Sequence, residues 1–298
     1  MAEFGFERDL VRALVAEQHP DLAGLELREV PGGWGNQQWR LGPELAVRLP
    51  RTERAPYLLR IEQRWLPGLA ERLPLPTPVP VRVGEPSDLF EHTWTITRWV
   101  DGEPADRTPI TCPGAAETLA EFLAALHREA PAEAPVNPTR SGPMAGLQDG
   151  FDDALEVIAG EPESEAARAV WAKAVAAPVW LHNDLHPANV IVRDRTLAGV
   201  IDFGDVGAGD PAVDLAAAWV LLPAGTAERF FDAYPDTGEA TRVRARGWAV
   251  LRALLLIRIG RNGRHGLPGG KPSWEPAGRA ALERALTGNQ PSRAANRP

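Results

Sequence analysis

The residue types that do chemistry gather in residues 179–192, "VWLHNDLHPANVIV". His182, Asp184 and His186 fall on alternate positions, and Pro187 and Asn189 follow directly. Two chemistries fit this spacing. Imidazoles with a carboxylate suit a transition metal, whereas a carboxylate followed by an amide suits a loop holding a base and a cation ligand for phosphoryl transfer. Apolar residues 190–192 and 199–201 flank the turn-like Asp194-Arg195-Thr196-Leu197, which predicts a tight hairpin. With the turn centred between Arg195 and Thr196, Asn189 and Asp202 stand opposite each other, about 5 Å apart as cross-strand partners. An amide oxygen and a carboxylate are hard ligands suited to Mg²⁺. Asp184, on the same side of the hairpin, is placed to orient a nucleophilic hydroxyl and receive its proton. The transition-metal alternative needs further ligands, and His19, His92, His127 and His265 show no ligand spacing. Phosphoryl transfer is the better reading.

The run His182-Asn183-Asp184-Leu185-His186-Pro187-Ala188-Asn189, followed by Ile201-Asp202-Phe203-Gly204, resembles the catalytic and metal-binding loops of the aminoglycoside phosphotransferase family. That family shares the protein-kinase-like fold and includes macrolide and other antibiotic kinases. The stretches "GGWGNQQWRLGPELAVRLPR", "EQRWLPGLAERLPLPTPVPVRVGEP" and "GDPAVDLAAAW" resemble segments of bacterial members, so the likeness extends over most of the chain. It implies that Asp184 is the catalytic aspartate and that Asn189 and Asp202 hold Mg²⁺. It implies ATP or GTP as phosphate donor and a hydroxyl-bearing antibiotic as acceptor, an aminoglycoside or other cationic antibiotic favoured and a macrolide next, with resistance as the outcome. His182 is expected to hold the loop backbone, and His186 to shape the loop.

On the nucleotide side, Gly33 and Gly35 lie in "GGWGN" between two strands, where the family places a phosphate-covering loop. Arg48 stands where many relatives carry lysine. It keeps the charge and adds a planar fork for the α- and β-phosphates. Glu62 is the expected partner of Arg48, with Glu53 and Glu71 as competitors. Arg98 and Val100 belong to the hinge strand, whose backbone meets the purine edge and does not separate ATP from GTP. Trp99 is expected in the core between the lobes. Asp210 before Pro211 reads as a helix cap. Asp214, among Ala212, Val213, Leu215 and Ala216, needs hydrogen-bond donors, and the family likeness makes it a brace for the catalytic loop. Asp205 faces metal, substrate or solvent.

The elements that must position these residues follow from periodicity. A helix is predicted over 6–18, strands over 25–30, 36–41 and 44–49, a helix over 58–73, and strands over 81–83 and 94–100. Asp101-Gly102-Glu103-Pro104 breaks the pattern. Helices are predicted over 113–128, 151–158, 165–177, 211–222, 227–234, 240–261 and 276–286. The expected fold class is α+β: a small antiparallel-sheet lobe (1–101), a larger mostly helical lobe (102–288) and a disordered tail (289–298).

Composition bounds the partners. A chain of 298 residues with net charge −8 speaks against nucleic acid or an anionic membrane. One cysteine, Cys112, excludes an internal disulfide and suits a reducing cytoplasm. The chain is expected to be a monomer or weak dimer. Residues 149–165 hold seven acids and no base, a wall suited to an aminoglycoside or another cationic antibiotic, or simply a solvated charge run. Against this, residues 242–264 hold seven arginines and no acid. Trp248, Leu251, Leu254 and Leu255 form a stripe that either lines a macrolide-sized pocket or packs in the core, the core being the commoner use. Trp274, in "GLPGGKPSWEP", is expected to anchor packing at the pocket edge. A kinase of a sugar, amino alcohol or choline-like metabolite, and a nucleotide-binding pseudokinase, are the alternatives. The presence of Asp184, Asn189 and Asp202 together speaks against the second.

Overall fold

The computed structural model describes residues 6–31, 33–137, 178–235 and 237–287. Five strands form an antiparallel sheet in the order β1-β2-β3-β5-β4: β1 (Leu27–Val30), β2 (Asn36–Leu41), β3 (Leu45–Pro50), β4 (Pro80–Gly84) and β5 (Trp94–Arg98). Helix α1 (Arg8–Gln18) covers one face. Its Val11, Leu14 and Val15 pack with Trp39, Val47, Leu49, Trp94 and Ile96 into one core. Because side chains alternate along a strand, Val47 and Leu49 in this core send Arg48 to the opposite face. That face meets α2 (Ala55–Ala70), whose buried stripe is Leu59, Glu62, Leu66 and Leu69. One carboxylate thus sits in the middle of an apolar helical face.

The second lobe begins where β6 (Glu103–Pro104) pairs with β8 (Val190–Arg193), which in turn pairs with β9 (Thr196–Val200). Gly102 makes this junction possible. Its φ is +134°, and a Cβ there would lie 2.5 Å from Ile191 Cγ2. A two-stranded piece joins β7 (Val179–Leu181) to β10 (Gly207–Gly209). The catalytic loop therefore leaves β7 and enters β8, anchored at both ends. Around it lie α3 (Ala115–Leu126), α4 (Ala212–Leu215), α5 (Ala217–Val220), α6 (Ala227–Ala233), α7 (Glu239–Arg264) and α8 (Trp274–Thr287). They share a larger core, to which α2 adds Leu66 and Leu69. The architecture is α+β, a small antiparallel-sheet lobe against a mostly helical one, in the protein-kinase-like arrangement expected. No helix among the described residues is long and apolar enough to cross a membrane.

Three local expectations are corrected. Helix α2 starts at Ala55 rather than at 58, because Pro56 suits a first helical turn. The helix predicted over 211–222 is two short pieces meeting at Ala216. The hairpin turns at Asp194-Arg195, one residue earlier than predicted, with φ of +52° and +67° at its two corners, the signature of a two-residue turn. The helices expected over 151–158 and 165–177, the acidic run 149–165 and the tail 289–298 lie outside the described residues.

Candidate active site

The shifted turn changes how Asn189 and Asp202 meet. Ile191 pairs with Gly199 and Val192 with Leu197, so Ala198 is an extra residue, a bulge. The backbone N–H of Ile201, not of Asp202, donates to Asn189 O (2.9 Å). Asp202 follows with φ +64° and ψ +65°, a left-handed turn that takes the chain out of the strand. Such geometry costs roughly 1–3 kcal/mol and gathers at functional sites. The Asp202 carboxylate is half exposed and lies 3.6 Å from Arg48 Nη2.

Arg48 is the junction of the nucleotide side. Its Nη1 donates to Glu62 Oε2 at 2.5 Å, and both side chains are almost fully buried. The pairing expected from the family likeness is thus present, while Glu53 and Glu71 are exposed. Burial works against the charge on Arg48, but Glu62 and Asp202 outweigh it and hold its pKa above the ordinary value. Burial likewise drives the Glu62 carboxyl upward, with Arg48 pulling back. Gly33 has φ +73°, and a Cβ there would clash with Asn36 O at 2.3 Å, so the loop over the cleft requires glycine at that point. Arg51 donates to the carbonyl oxygens of Gly33 and Trp34 and ties the loop to the end of β3.

On the opposite wall, Asp184 is held through its neighbours. Asn189 Nδ2 donates to Asp184 O (2.9 Å) and to Asp184 Oδ2 (3.3 Å), which leaves the Asn189 amide oxygen as its acceptor atom. The fully buried Asp214 accepts from the backbone N–H of His182 (2.6 Å) and of Asn183 (3.0 Å), the brace expected of it. Burial alone would raise the Asp214 pKa, but the hydrogen bond and charge of His127, with His182 and Arg252, hold it below the ordinary value. Behind it, His127 Nδ1 meets the Tyr234 hydroxyl at 2.7 Å and its Nε2 lies 3.4 Å from Asp214 Oδ2.

His182 is committed on both ring nitrogens. Nε2–H donates to Ile201 O (3.0 Å), and Nδ1 accepts from the backbone N–H of Asp184 (3.2 Å). Burial lowers its pKa, and the ring sits edge-on to Phe203, 4.6 Å between centroids. A neutral, doubly bonded imidazole has no lone pair left for a metal, so the His-Asp-His cluster is set aside. His186 accepts from the Ala188 backbone N–H, lies 3.6 Å from Asp184 Oδ2 and rests on Trp274.

All this opens on one cavity of about 1060 Å³. Gly33, Gly35, Arg48, Arg98, Val100, Asp184, Asn189 and Asp202 line it, and Glu62 sits behind Arg48. The Arg98 N–H is committed to Val79 O (2.9 Å). Trp99 is not core: it lines the cavity beneath the Arg40 guanidinium, 4.2 Å away. The far end is walled by Trp248, Leu251, Leu255, Ile259 and Trp274. The core face of α7 is instead Ala245, Ala249, Ala253, Leu256 and Ile257, so the predicted stripe splits. Leu251 and Leu255 face the cavity, and Leu254 is exposed outside it.

Two features escaped the sequence reading. Asp205 pairs with Arg54 Nη2 at 2.6 Å and accepts from Asn137 Nδ2 at 2.9 Å, an ion pair that joins the start of α2 to the loop after Asp202. Arg252, one of seven similar arginines, reaches the catalytic loop. Its only sequence signal is a cation set amid the small residues of a buried helical face.

Comparison with known proteins places this geometry. Residues 26–254 match a family described as the phosphotransferase enzyme family. No functionally curated protein matches the chain. Among solved structures, the GDP complex of aminoglycoside 2′-phosphotransferase-IIIa aligns with a TM-score of 0.64 at 18% identity, covering 96% of this chain and 100% of that one. The streptomycin–ATP complex of APH(2″)-IIa aligns at 0.55 and 18% identity, covering 86% and 90%. The macrolide 2′-phosphotransferase MphH from Brachybacterium faecium, an apoenzyme, aligns at 0.57 and 21% identity, covering 96% and 98%.

Proposed function

Since the chain belongs to the phosphotransferase enzyme family, we propose that it moves the γ-phosphate of ATP or GTP, with Mg²⁺, to a hydroxyl of a large, mainly apolar antibiotic of macrolide kind, and so confers resistance. The observation that carries this reading is the convergence of Asp184, Asn189, Asp202 and Arg48 on one cavity whose far wall is Trp248, Leu251, Leu255, Ile259 and Trp274. In this reading residues 1–101 cradle the nucleotide, and residues 102–288 carry the base and the acceptor wall.

The donor set fits a hard cation: the Asn189 amide oxygen and the half-exposed Asp202 carboxylate. Mg²⁺ held there supplies charge neutralisation to the phosphates. Arg48, kept charged by Glu62, adds a fork to the α- and β-phosphates, and the backbone of the Gly33–Gly35 loop covers them. The Arg98 carbonyl and the Val100 backbone face the purine. Asp184 orients the acceptor hydroxyl and takes its proton as the phosphoryl group departs from the nucleotide. The protein's share is mostly positioning.

The fold relatives include enzymes named for aminoglycosides and for macrolides, and the apolar wall supports the macrolide reading. The charges around that wall are mixed, Arg107, Arg252 and Lys271 with Glu103 and Asp106, so its apolar side chains carry the reading. A cationic acceptor is the second reading, favoured by the seven acids of residues 149–165. The test is phosphate transfer to a panel of macrolides and aminoglycosides with each nucleotide. Macrolide phosphorylation is expected, and Leu255→Glu should raise the macrolide KM about tenfold, the worth of one buried leucine contact, with the nucleotide KM unchanged. Transfer to aminoglycosides alone would overturn the apolar assignment.

A further inference from the structure

Helix α7 does two things at one place. Leu251 and Leu255 face the cavity, and between them Arg252 turns inward to the catalytic loop. Its Nη2 donates to Asn183 O at 2.8 Å, and its Nη1 approaches Leu185 O at 3.4 Å. The same Nη1 lies 3.9 Å from Asp184 Oδ1. The guanidinium therefore grips the carbonyls on both sides of Asp184 while facing its carboxylate. Only a rigid multi-donor fork does this; a lysine ammonium has the charge without the span.

The grip has a counterpart. Asn183 has φ +68°, a left-handed conformation that the surrounding structure must enforce. Asp214 takes the N–H of Asn183 and Arg252 takes its C=O. An anion on one side and a cation on the other thus fix the residue that aims Asp184.

We propose that Arg252 is a positioning residue that fixes the direction of Asp184 and ties it to the acceptor wall. The inference rests on the reading of Asp184 as the base. An acceptor seated on Leu251 and Leu255 presses on the same helical turn that carries the grip, so acceptor binding and base alignment share one element.

The experiment compares Arg252→Ala and Arg252→Lys with the parent enzyme, with and without millimolar guanidinium chloride. For Arg252→Ala, kcat should fall about a hundredfold, the scale of a misplacement near 1 Å, while the nucleotide KM stays within about twofold. Guanidinium should restore roughly tenfold of the loss, and sodium chloride at equal ionic strength should not. Arg252→Lys should lie between the two. A merely structural role predicts no rescue, because a small cation at millimolar concentration restores no packing and is too dilute to change stability. Unchanged kcat in Arg252→Ala, or a loss that guanidinium does not restore, overturns the proposal. Asp184→Asn run alongside separates the layers. If it is inactive while Arg252→Ala is fully active, this inference alone fails; if it is active, the reading beneath both fails.

Discussion

Two carboxylates, Glu62 in the small lobe and Asp214 in the large one, are both fully buried and solve burial differently. Glu62 answers a charge with a charge, at 2.5 Å from the Arg48 guanidinium. Asp214 answers with neutral donors, two backbone N–H groups of the catalytic loop, and with His127 behind it. In the proposed reading, the ion pair holds a side chain that must stay charged for phosphate. A carboxylate bonded to backbone N–H groups holds the course of the chain itself. The pKa directions are opposed: burial outweighs Arg48 and drives Glu62 up, whereas at Asp214 the hydrogen bond and charge of His127, with His182 and Arg252, outweigh burial and hold it down. In the proposed reading, one anchor serves nucleotide binding and the other the alignment of Asp184.

The comparison breaks most sharply at Glu62. Glu62→Ala takes from the buried Arg48 its closest partner and leaves it only the half-exposed Asp202 carboxylate at 3.6 Å, a loss of up to about 3–5 kcal/mol. Denaturant unfolding should show that loss, together with weakened nucleotide binding. A variant as stable as the parent would mean that Arg48 finds another partner, and the contrast would lapse.

The Asp214 side is sharpened by Asp214→Asn. The amide keeps the size, but its NH₂ opposes one loop N–H, at a cost of about 1–3 kcal/mol. Here kcat should fall with little change in nucleotide affinity, the reverse of the Glu62 pattern. The pH dependence gives the finer test. Because the folded pKa of Asp214 is depressed, its contribution is fully present above the ordinary value of 3.8 and is lost as pH falls below it. The stability gap between parent and Asp214→Asn should therefore be constant from neutral pH down to about 4 and should close at lower pH. A gap that widened on acidification would contradict the assignment.

Much of this was legible in residues. The paired motifs around Asp184 and Asp202 placed the site, and the family likeness of the third strand placed Arg48. Glu62 was legible only as one of three competing glutamates, and its burial in the Leu59-Leu66-Leu69 stripe singles it out in the structure. The hairpin register was not, because a bulge at Ala198 depends on pairing geometry rather than on side-chain period. Arg252 was hidden for another reason. Seven arginines between 242 and 264 look alike in sequence, and only the packing of α7 against the loop singles one out. Trp99, expected in the core, proved to line the cavity, since the apolar character of a side chain does not say which void it faces.

The most direct test of the central claim is single-turnover transfer by Asp184→Asn with a γ-labelled nucleotide and a macrolide acceptor. Asp184 as the base predicts nucleotide binding like the parent's and phosphate transfer slower by roughly 10²–10⁴-fold, the usual worth of a general base. Transfer at the parent's rate, or a loss that follows weakened nucleotide binding alone, would contradict it.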